Sequence, residues 1–308
     1  MDRRGIRMLS VLTAAALALG GFFACSAAEE GVFIENEWNF VDASMDISGG
    51  IPENAGGVLG RIREQGVLRV ATEPYFAPQE FIDPAREGQE TYAGADMELA
   101  RLIAEKMGVT LEIVPMEFTE VLSAVSEDRC DLAISALAYT PGRALNNTLS
   151  KGYFFTESEE NITMVIREED AEKITSVDDL ENLTLTAQRG SLQEAVTVDM
   201  VPRYREFRRV LQTQEVYEMV RAGRADAGAV DMENAESYIR NNPGCGLTLV
   251  KGIRFSLEEQ YAGDRIAAKK GEAELMYFVN GVIDEVLEKD LYRIWYEEAR
   301  KRADELDL

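Results

Sequence analysis

The 308-residue sequence contains no histidine. Imidazole is the usual base, proton shuttle and zinc ligand of enzymes at neutral pH. Its absence excludes Ser-His-Asp and Cys-His catalysis, and it excludes metal sites that depend on histidine. We also expect a protein with no resident metal and no cofactor.

Positive charge is also scarce. There are 32 Lys and Arg residues against 56 Asp and Glu, which gives a net charge of -24. Such a chain is a poor partner for nucleic acid and for anionic lipid surfaces. Because the acidic residues are dispersed and 46% of the residues are hydrophobic, the charge indicates the solvated surface of a folded protein. The length allows about two domains.

Long hydrophobic runs are almost absent. The exception is residues 8–23, which follow Arg3, Arg4 and Arg7 and precede small residues near Cys25. This pattern predicts a targeting segment over residues 1–25 and an extracytoplasmic mature chain. Residues 26–60 show no clear periodicity and are predicted to form a tether.

Cysteine is rare as well, with three residues in the chain. Beyond Cys25, only Cys130 and Cys245 remain, far apart and each beside a predicted buried strand. Two free buried thiols are the favoured state. A disulfide remains open in an oxidising compartment, although the spacing does not indicate one.

The rest of the chain alternates strand and helix patterns, which is typical of parallel α/β sheets. Closing helices over 272–287 and 291–303 are expected to pack back on the first unit. The first unit has predicted strands at 67–71, 109–113 and 132–137 and helical stripes at 97–107 and 118–125. The second has strands at 162–166, 183–187 and 225–230, with a helix beginning at Ser191 and another ending at Gly223.

A repeated sequence pattern, called the echo below, relates the two units. Residues 121–135 and 216–230 share a helix, a polar turn, an aspartate and a small-residue strand. Asp131 and Asp226 are interpreted as structural turn residues. The echo predicts two lobes with a cleft between their strand ends, where ligands of α/β sheets bind. Two crossings, near residues 156–162 and 256–266, would then form a hinge.

The strand predicted over residues 132–137 is followed by the turn Thr140-Pro141-Gly142 and then by Arg143. Arginine at such an exit is suited to a carboxylate, because its planar fork donates two parallel hydrogen bonds. On position alone, the alternative of an exposed arginine after a turn is favoured.

Several segments, taken in order, resemble the solute-binding proteins of polar amino acid ABC transporters (family 3). The resemblance covers roughly residues 61–300 and implies the two-lobed, Venus-flytrap fold of type II periplasmic binding proteins, with two parallel-rich sheets and a two-strand hinge. The first lobe would comprise 61–158 and 264–308, and the second 159–263. The segments that carry it are Gly66–Ala71, Tyr92–Ala100, Asp131–Arg143, Gln188–Glu194, Gly223–Asp231 and the closing helices.

The resemblance also implies a site for an α-amino acid. Arg143 would hold the carboxylate, helped by backbone N–H groups near Ala138 and by the helix start at Ser191. Asp231 would pair with the α-ammonium group. Phe76 and Phe118 would sandwich the side chain, and Glu73 and Asp96 would lie near its distal end.

Three of these residues have structural alternatives. Phe118 falls on an apolar helical stripe and Asp231 could simply cap a helix, while Glu73 could be an exposed loop carboxylate.

The chain departs from the family at Ala136, Ala138 and Leu192. Relatives commonly have glycine, serine or threonine at the first two positions and threonine at the third. The site is therefore expected to rely on Arg143 and backbone amides.

Residues 22–25 resemble the lipobox of bacterial lipoproteins, which predicts lipidation of Cys25. Phe22 departs from the usual leucine, so ordinary cleavage and a retained anchor stay as alternatives.

The implied function is capture of an amino acid by lobe closure and its delivery to an ABC permease with its ATPase. Acids near two aromatic rings favour a polar or cationic ligand. We expect no catalysis. One alternative is an arogenate or prephenate dehydratase-like enzyme on the same fold, with Asp231 or Glu73 as the acid. Another is the ligand-sensing domain of a receptor. The lack of a second predicted membrane span argues against this alternative.

Overall fold

The computed structural model describes residues 46–155, 161–255 and 263–308. The predicted targeting segment, Cys25 and most of the predicted tether lie outside these residues. The strands are β1 (Val67–Thr72), β2 (Tyr75–Phe76), β3 (Glu80–Ile82), β4 (Tyr92–Ala93), β5 (Thr110–Pro115), β6 (Leu132–Ala133), β7 (Asn147–Leu149), β8 (Ile162–Arg167), β9 (Thr184–Gln188), β10 (Glu206–Val210), β11 (Ala227–Asp231), β12 (Leu247–Leu249) and β13 (Ala267–Lys269). The α-helices are α1 (Gly57–Gln65), α2 (Ala95–Met107), α3 (Phe118–Ser126), α4 (Pro141–Asn146), α5 (Leu192–Met200), α6 (Thr213–Arg221), α7 (Met232–Asn241), α8 (Ala273–Glu288) and α9 (Leu291–Glu305). None of the helices described is long and apolar enough to cross a membrane.

The first lobe is built on a five-stranded sheet in the order β5-β1-β6-β13-β7. β1 runs parallel to β5 and β6, whereas β13 is antiparallel to β6 and β7. The prediction that the closing helices return to the first lobe is confirmed, because residues of α8 and α9 share one buried core with α1, α2 and β1. The chain thus leaves this lobe after β7 and completes it with β13.

The second lobe is built on a sheet in the order β10-β9-β11-β8-β12. β9 is parallel to β10 and β11, while β8 is antiparallel to β11 and β12. One apolar core includes residues near α5 and another includes residues of α6 and α7. Burial on both sides explains the nearly continuous apolar run of β8.

The connections between the lobes run side by side where the structure describes them. Phe154 pairs with Asp264, and Ile162 pairs with Phe255, both antiparallel. Parts of both predicted crossings, residues 156–160 and 256–262, lie outside the described residues.

The strand predicted over 132–137 is shorter than expected. β6 ends at Ala133, and Ala136 has a φ of 44°, in the left-handed region. The Ala136 N–H donates to the Asp96 carboxylate at 2.8 Å instead of to a neighbouring strand. This bend interrupts the regular pairing of β6, and beyond it Ala138 forms only an isolated bridge with Asp264 before the chain enters α4.

Asp131 and Asp226 have matching structural roles, as predicted from the echo. The Asp131 carboxylate accepts from the Arg69 N–H of β1, and that of Asp226 accepts from the Thr184 N–H of β9, both at 2.8 Å. Each aspartate therefore fixes the start of the adjacent parallel strand.

The described end of the predicted tether belongs to the body of the first lobe. Ile47, Ile51 and Ala55 pack against its core. The N–H of Val58 in α1 donates to the Glu272 carboxylate at 2.9 Å. Cys130 and Cys245 are both free thiols, as favoured, but only Cys130 is buried, whereas Cys245 is half-buried.

Candidate functional site

The carboxyl ends of the central parallel strands face each other across the two lobes. Glu73 follows β1, and Gln188 is the last residue of β9. The Gln188 side-chain amide donates to the Glu73 carboxylate at 3.0 Å. The strand ends therefore form the walls of one closed cleft, as the rule for α/β sheets predicts.

Arg143 lies inside this cleft and not on the surface. Its side chain is in the first turn of α4, where the Thr140 hydroxyl caps the Arg143 N–H at 3.1 Å. Only 9% of the residue is exposed. The alternative of an exposed arginine is therefore wrong.

The Arg143 guanidinium joins the two lobes. It donates to the Ala138 carbonyl of its own lobe at 2.7 Å and to the Gly190 carbonyl of the other at 3.3 Å. Its carbon lies 5.7 Å from the centre of the Phe118 ring. Burial lowers the pKa of Arg143 to about 10, which leaves it charged at neutral pH.

Asp231 is at the end of β11, where it caps α7. One carboxylate oxygen accepts from the Asn234 N–H at 3.0 Å, and the other accepts from the Asn161 amide at 3.1 Å. The capping alternative is therefore correct as structure. Burial raises the pKa of Asp231 to about 7, so a nearby cation would favour its ionised form.

Glu73 is 2% exposed, which contradicts the alternative of an exposed loop carboxylate. Burial raises the pKa of its carboxyl to about 8, against the opposing effect of the Gln188 hydrogen bond. Its backbone N–H is held by the Ser135 hydroxyl at 3.0 Å. Glu73 is thus a fixed, buried acid beside the opposite lobe.

Asp96 lies behind the wall of the cleft. Its carboxylate accepts from the Tyr292 hydroxyl at 2.6 Å and from the Ala136 N–H at 2.8 Å. Both oxygens therefore accept hydrogen bonds from the protein, and the residue is fully buried. Its place near the distal end of a ligand stays a prediction. Asp96 holds the left-handed Ala136 in place.

The remaining predicted residues surround this centre in different ways. Phe76 pairs with Glu80 and, like Phe118, is half-buried. The Ser191 hydroxyl caps α5 through the Glu194 N–H at 3.0 Å, while Leu192 packs against the core of the second lobe. The Ala138 carbonyl accepts a hydrogen bond from the Arg143 side chain. The prediction concerned the backbone N–H groups near Ala138 instead.

Three polar residues of the region were not among the predicted site residues: Glu80, Gln188 and Asp264. The Ser135 hydroxyl donates to the buried Glu80 carboxyl at 3.0 Å. Burial, Asp96 and Glu73 together raise the pKa of Glu80 well above its usual value. Gln188 was detectable in the sequence, because it directly follows the strand predicted over 183–187, as Glu73 follows the strand predicted over 67–71.

Within the described residues, no group of three or more Cys, Asp or Glu side chains is arranged to hold a metal ion. The region holds buried Arg143, buried Glu73 of the first lobe and half-buried Asp231 of the second, and a small zwitterion matches this set of charges.

A two-lobed α/β fold with a charged cleft between strand ends defines a ligand-capturing protein of the periplasmic-binding type. The chain belongs to the bacterial extracellular solute-binding proteins, family 3, whose family model matches residues 68–298.

Individual relatives agree with this membership. An arginine-binding extracellular protein, ArtP, of Bacillus subtilis is 26% identical over 222 residues, which are 71% of this chain and 80% of the relative. An L-arginine-bound amino acid ABC transporter substrate-binding protein of Streptococcus pneumoniae matches with a TM-score of 0.70 and 26% identity, covering 80% of this chain and 98% of that structure. A cyclohexadienyl dehydratase of Pseudomonas aeruginosa is 36% identical, but only over 80 residues, or 28% of its length.

Proposed function

We propose that this protein captures a cationic amino acid, with arginine as the leading candidate, and delivers it to an ABC permease. The observation that carries the proposal is the placement of buried Arg143 between the two lobes, with buried Glu73 against the opposite lobe and half-buried Asp231 at the end of β11. A ligand carboxylate pairs with Arg143, the α-ammonium group with Asp231, and a cationic side chain with Glu73. The names of the arginine-binding relatives support this choice.

The charge balance favours a ligand with a net positive charge. Arg143 contributes one positive charge, whereas ionised Asp231 and Glu73 contribute two negative ones. A neutral amino acid leaves Glu73 without a partner, and a buried carboxyl without a cation stays protonated. An acidic side chain would place like charges together.

Isothermal titration calorimetry with the twenty amino acids tests the proposal. We expect arginine to bind most tightly, followed by lysine, with uncharged glutamine weaker and glutamate undetectable. Tightest binding of an acidic or large aliphatic amino acid would contradict it.

We also propose the assignments that depend on undescribed residues. Residues 1–25 form a lipoprotein signal peptide, and lipidated Cys25 anchors the chain outside the cytoplasm. The permease works with an ATPase. Membrane fractionation tests the anchor, since Cys25→Ala is expected to move the protein into the soluble extracytoplasmic fraction.

The proposed lobes are residues 61–158 with 264–308, and residues 159–263. Their two connections form the hinge. Hydrogen exchange of the full chain tests these limits: on ligand addition, protection is expected to rise at the facing strand ends and not at the outer helices.

Dehydration is the second candidate, because the cleft holds carboxyls with raised pKa values and one relative is a dehydratase. A protonated Glu73 has the form that a general acid requires. We propose a binding protein without this activity. Incubation with prephenate and with arogenate should give no product, and turnover abolished by Glu73→Gln would establish the enzyme instead.

A further inference from the structure

Asp264 lies on the strand that brings the chain back into the first lobe. Its N–H donates to the Phe154 carbonyl and its carbonyl accepts from the Tyr153 N–H, both at 2.9 Å. It also pairs with Ala138, whose carbonyl binds Arg143. Asp264 is therefore fixed by backbone pairing on both sides, next to the arginine of the cleft.

The Asp264 side chain has no hydrogen bond or ion pair to any of the described residues. It is half-buried. Arg265, its neighbour, donates to the Ser150 carbonyl at 3.0 Å and lies over the Tyr139 ring. Successive side chains of a strand point to opposite faces, which separates the Asp264 carboxylate from the Arg265 guanidinium.

Charged groups from two poles of the proposed site act on Asp264: Arg143 at the carboxylate pole and Asp231 at the ammonium pole. Burial raises the pKa of Asp264 well above its usual value, and nearby Asp96 and Asp231 raise it further. Arg143 and Arg265 oppose this shift. Asp264 thus lies within electrostatic reach of both the carboxylate-binding arginine and the acid of the ammonium pole.

Asp231 by itself is a limited acceptor for an ammonium group. Hydrogen bonds from Asn161 and from the Asn234 N–H already occupy two of the about four acceptor sites of its carboxylate, which leaves about two. An α-ammonium group has three donors. A second carboxylate at this pole satisfies donors that Asp231 leaves without a partner, and a buried unpaired donor is costly.

We propose that Asp264 binds the α-ammonium group of the ligand together with Asp231, which makes the hinge strand part of the binding site. This inference rests on the proposed function, since it requires an amino acid in the cleft. It specifies that the site selects for the amine of the ligand, in addition to its carboxylate and side chain.

The competing role for Asp264 is that of a counterion for Arg143. The two roles predict opposite effects. A counterion competes with the ligand carboxylate, so its removal strengthens binding. An ammonium acceptor adds to binding, so its removal weakens binding. The guanidinium donates to the Ala138 and Gly190 carbonyls, which favours the second role.

The test compares Asp264→Asn with Glu73→Gln by calorimetry, using arginine, glutamine and 5-guanidinopentanoic acid, which is arginine without its amine. We expect Asp264→Asn to weaken arginine and glutamine by a similar factor, about tenfold or more. The amine-free acid should bind Asp264→Asn and the unaltered protein equally. Glu73→Gln should weaken arginine selectively.

Stronger or unchanged binding of arginine to Asp264→Asn would overturn the inference, as would an equal loss for the amine-free acid. Thermal melts check the fold. If Asp264→Asn does not fold, Asp264→Glu takes its place, because it keeps the charge but moves it. This variant should weaken the binding of both amino acids by less than about tenfold and leave the binding of the amine-free acid unchanged. If the unaltered protein binds no amino acid at all, it is the proposed function that fails.

Discussion

At the scale of single residues, Arg143 is the centre of the proposed site, because it is buried and its guanidinium donates to carbonyls of both lobes. We expect Arg143→Ala to weaken arginine binding by about 3 kcal/mol, roughly 150-fold in Kd. Arg143→Lys keeps the charge without the planar fork and should fall between the two. Calorimetry measures all three proteins.

Arg203→Ala is the matched control for this substitution. Arg203 lies on the second lobe, is largely exposed and pairs with Glu181 at 3.3 Å. Its removal should leave Kd unchanged. Equal losses in both variants, or none in either, would show that Arg143 does not bind the ligand.

Buried acids make binding depend on pH. The pKa values of Asp231 and Glu73 are raised to about 7 and about 8, so much of each carboxyl is protonated in the free protein at neutral pH. A cationic ligand favours the ionised forms, and binding then releases protons. Affinity for arginine should therefore rise with pH and fall about tenfold or more per unit below pH 7.

Titrations in buffers of different ionisation enthalpy count these protons. Glu73→Gln should release fewer protons with arginine, because one of the two acids is removed. An affinity that is constant between pH 6 and pH 8 would contradict the assignment of these acids to the ligand.

Ala136 is a non-glycine residue whose backbone lies in the left-handed region, which L-residues disfavour. An L-residue with a φ of 44° is strained, and glycine adopts this conformation without a Cβ clash. Ala136→Gly should raise the free energy of unfolding by about 1 kcal/mol. Urea denaturation measures it, with Ala133→Gly in β6 as a control that should lower stability.

Sequence reasoning at this scale found Arg143 but not its full surroundings. The motif predicted a carboxylate-binding arginine but not its contact with the second lobe, because the Gly190 carbonyl that accepts from it is distant in sequence. Asp96 was placed at the ligand because periodicity does not reveal that Tyr292 occupies its carboxylate.

At the scale of elements, α9 reaches across to the second lobe. Asp304 of α9 accepts from Arg240 of α7 at 2.7 Å and from the Asn241 amide at 3.3 Å. Tyr296 donates to Glu233 at 2.8 Å. These contacts join elements of different lobes, so they stabilise the closed arrangement and not either lobe alone.

We expect Asp304→Ala to weaken arginine binding a few-fold, because exposed ion pairs contribute about 0.2–1 kcal/mol. The loss should shrink at high salt, where the pair is screened. Glu297→Ala is the control, since Glu297 pairs with Arg300 inside α9. Equal effects of the two substitutions on Kd would contradict a role of α9 in closure.

The elements themselves were largely predictable. Apolar periodicity located α2 and α3, and glycine in the left-handed conformation ends α2 at Gly108, as the sequence indicated. β6 was overestimated because an apolar run does not report the φ of Ala136. The short α4 was missed because Thr140-Pro141-Gly142 has the composition of a turn, although Thr140 and Pro141 also suit a helix start.

At the scale of the whole molecule, the structure is a closed form. Hydrogen bonds cross the cleft between Glu73 and Gln188, between Arg143 and Gly190, and between Ala77 and Asn234. The two-lobed arrangement was predictable from the echo and from the family resemblance. Closure was not, because it depends on pairs of residues that no local pattern connects.

Closure predicts a change of overall size on binding. If ligand bridges Arg143 and Asp231, it lowers the free energy of the closed form, and an open population shifts toward it. We expect small-angle X-ray scattering to show a smaller radius of gyration when arginine is added, and no change for Arg143→Ala at the same arginine concentration. Glutamate provides the ligand control. A radius of gyration that stays constant while calorimetry shows arginine binding would mean that the lobes do not open in the free protein, and the role assigned to α9 would then be limited to stability.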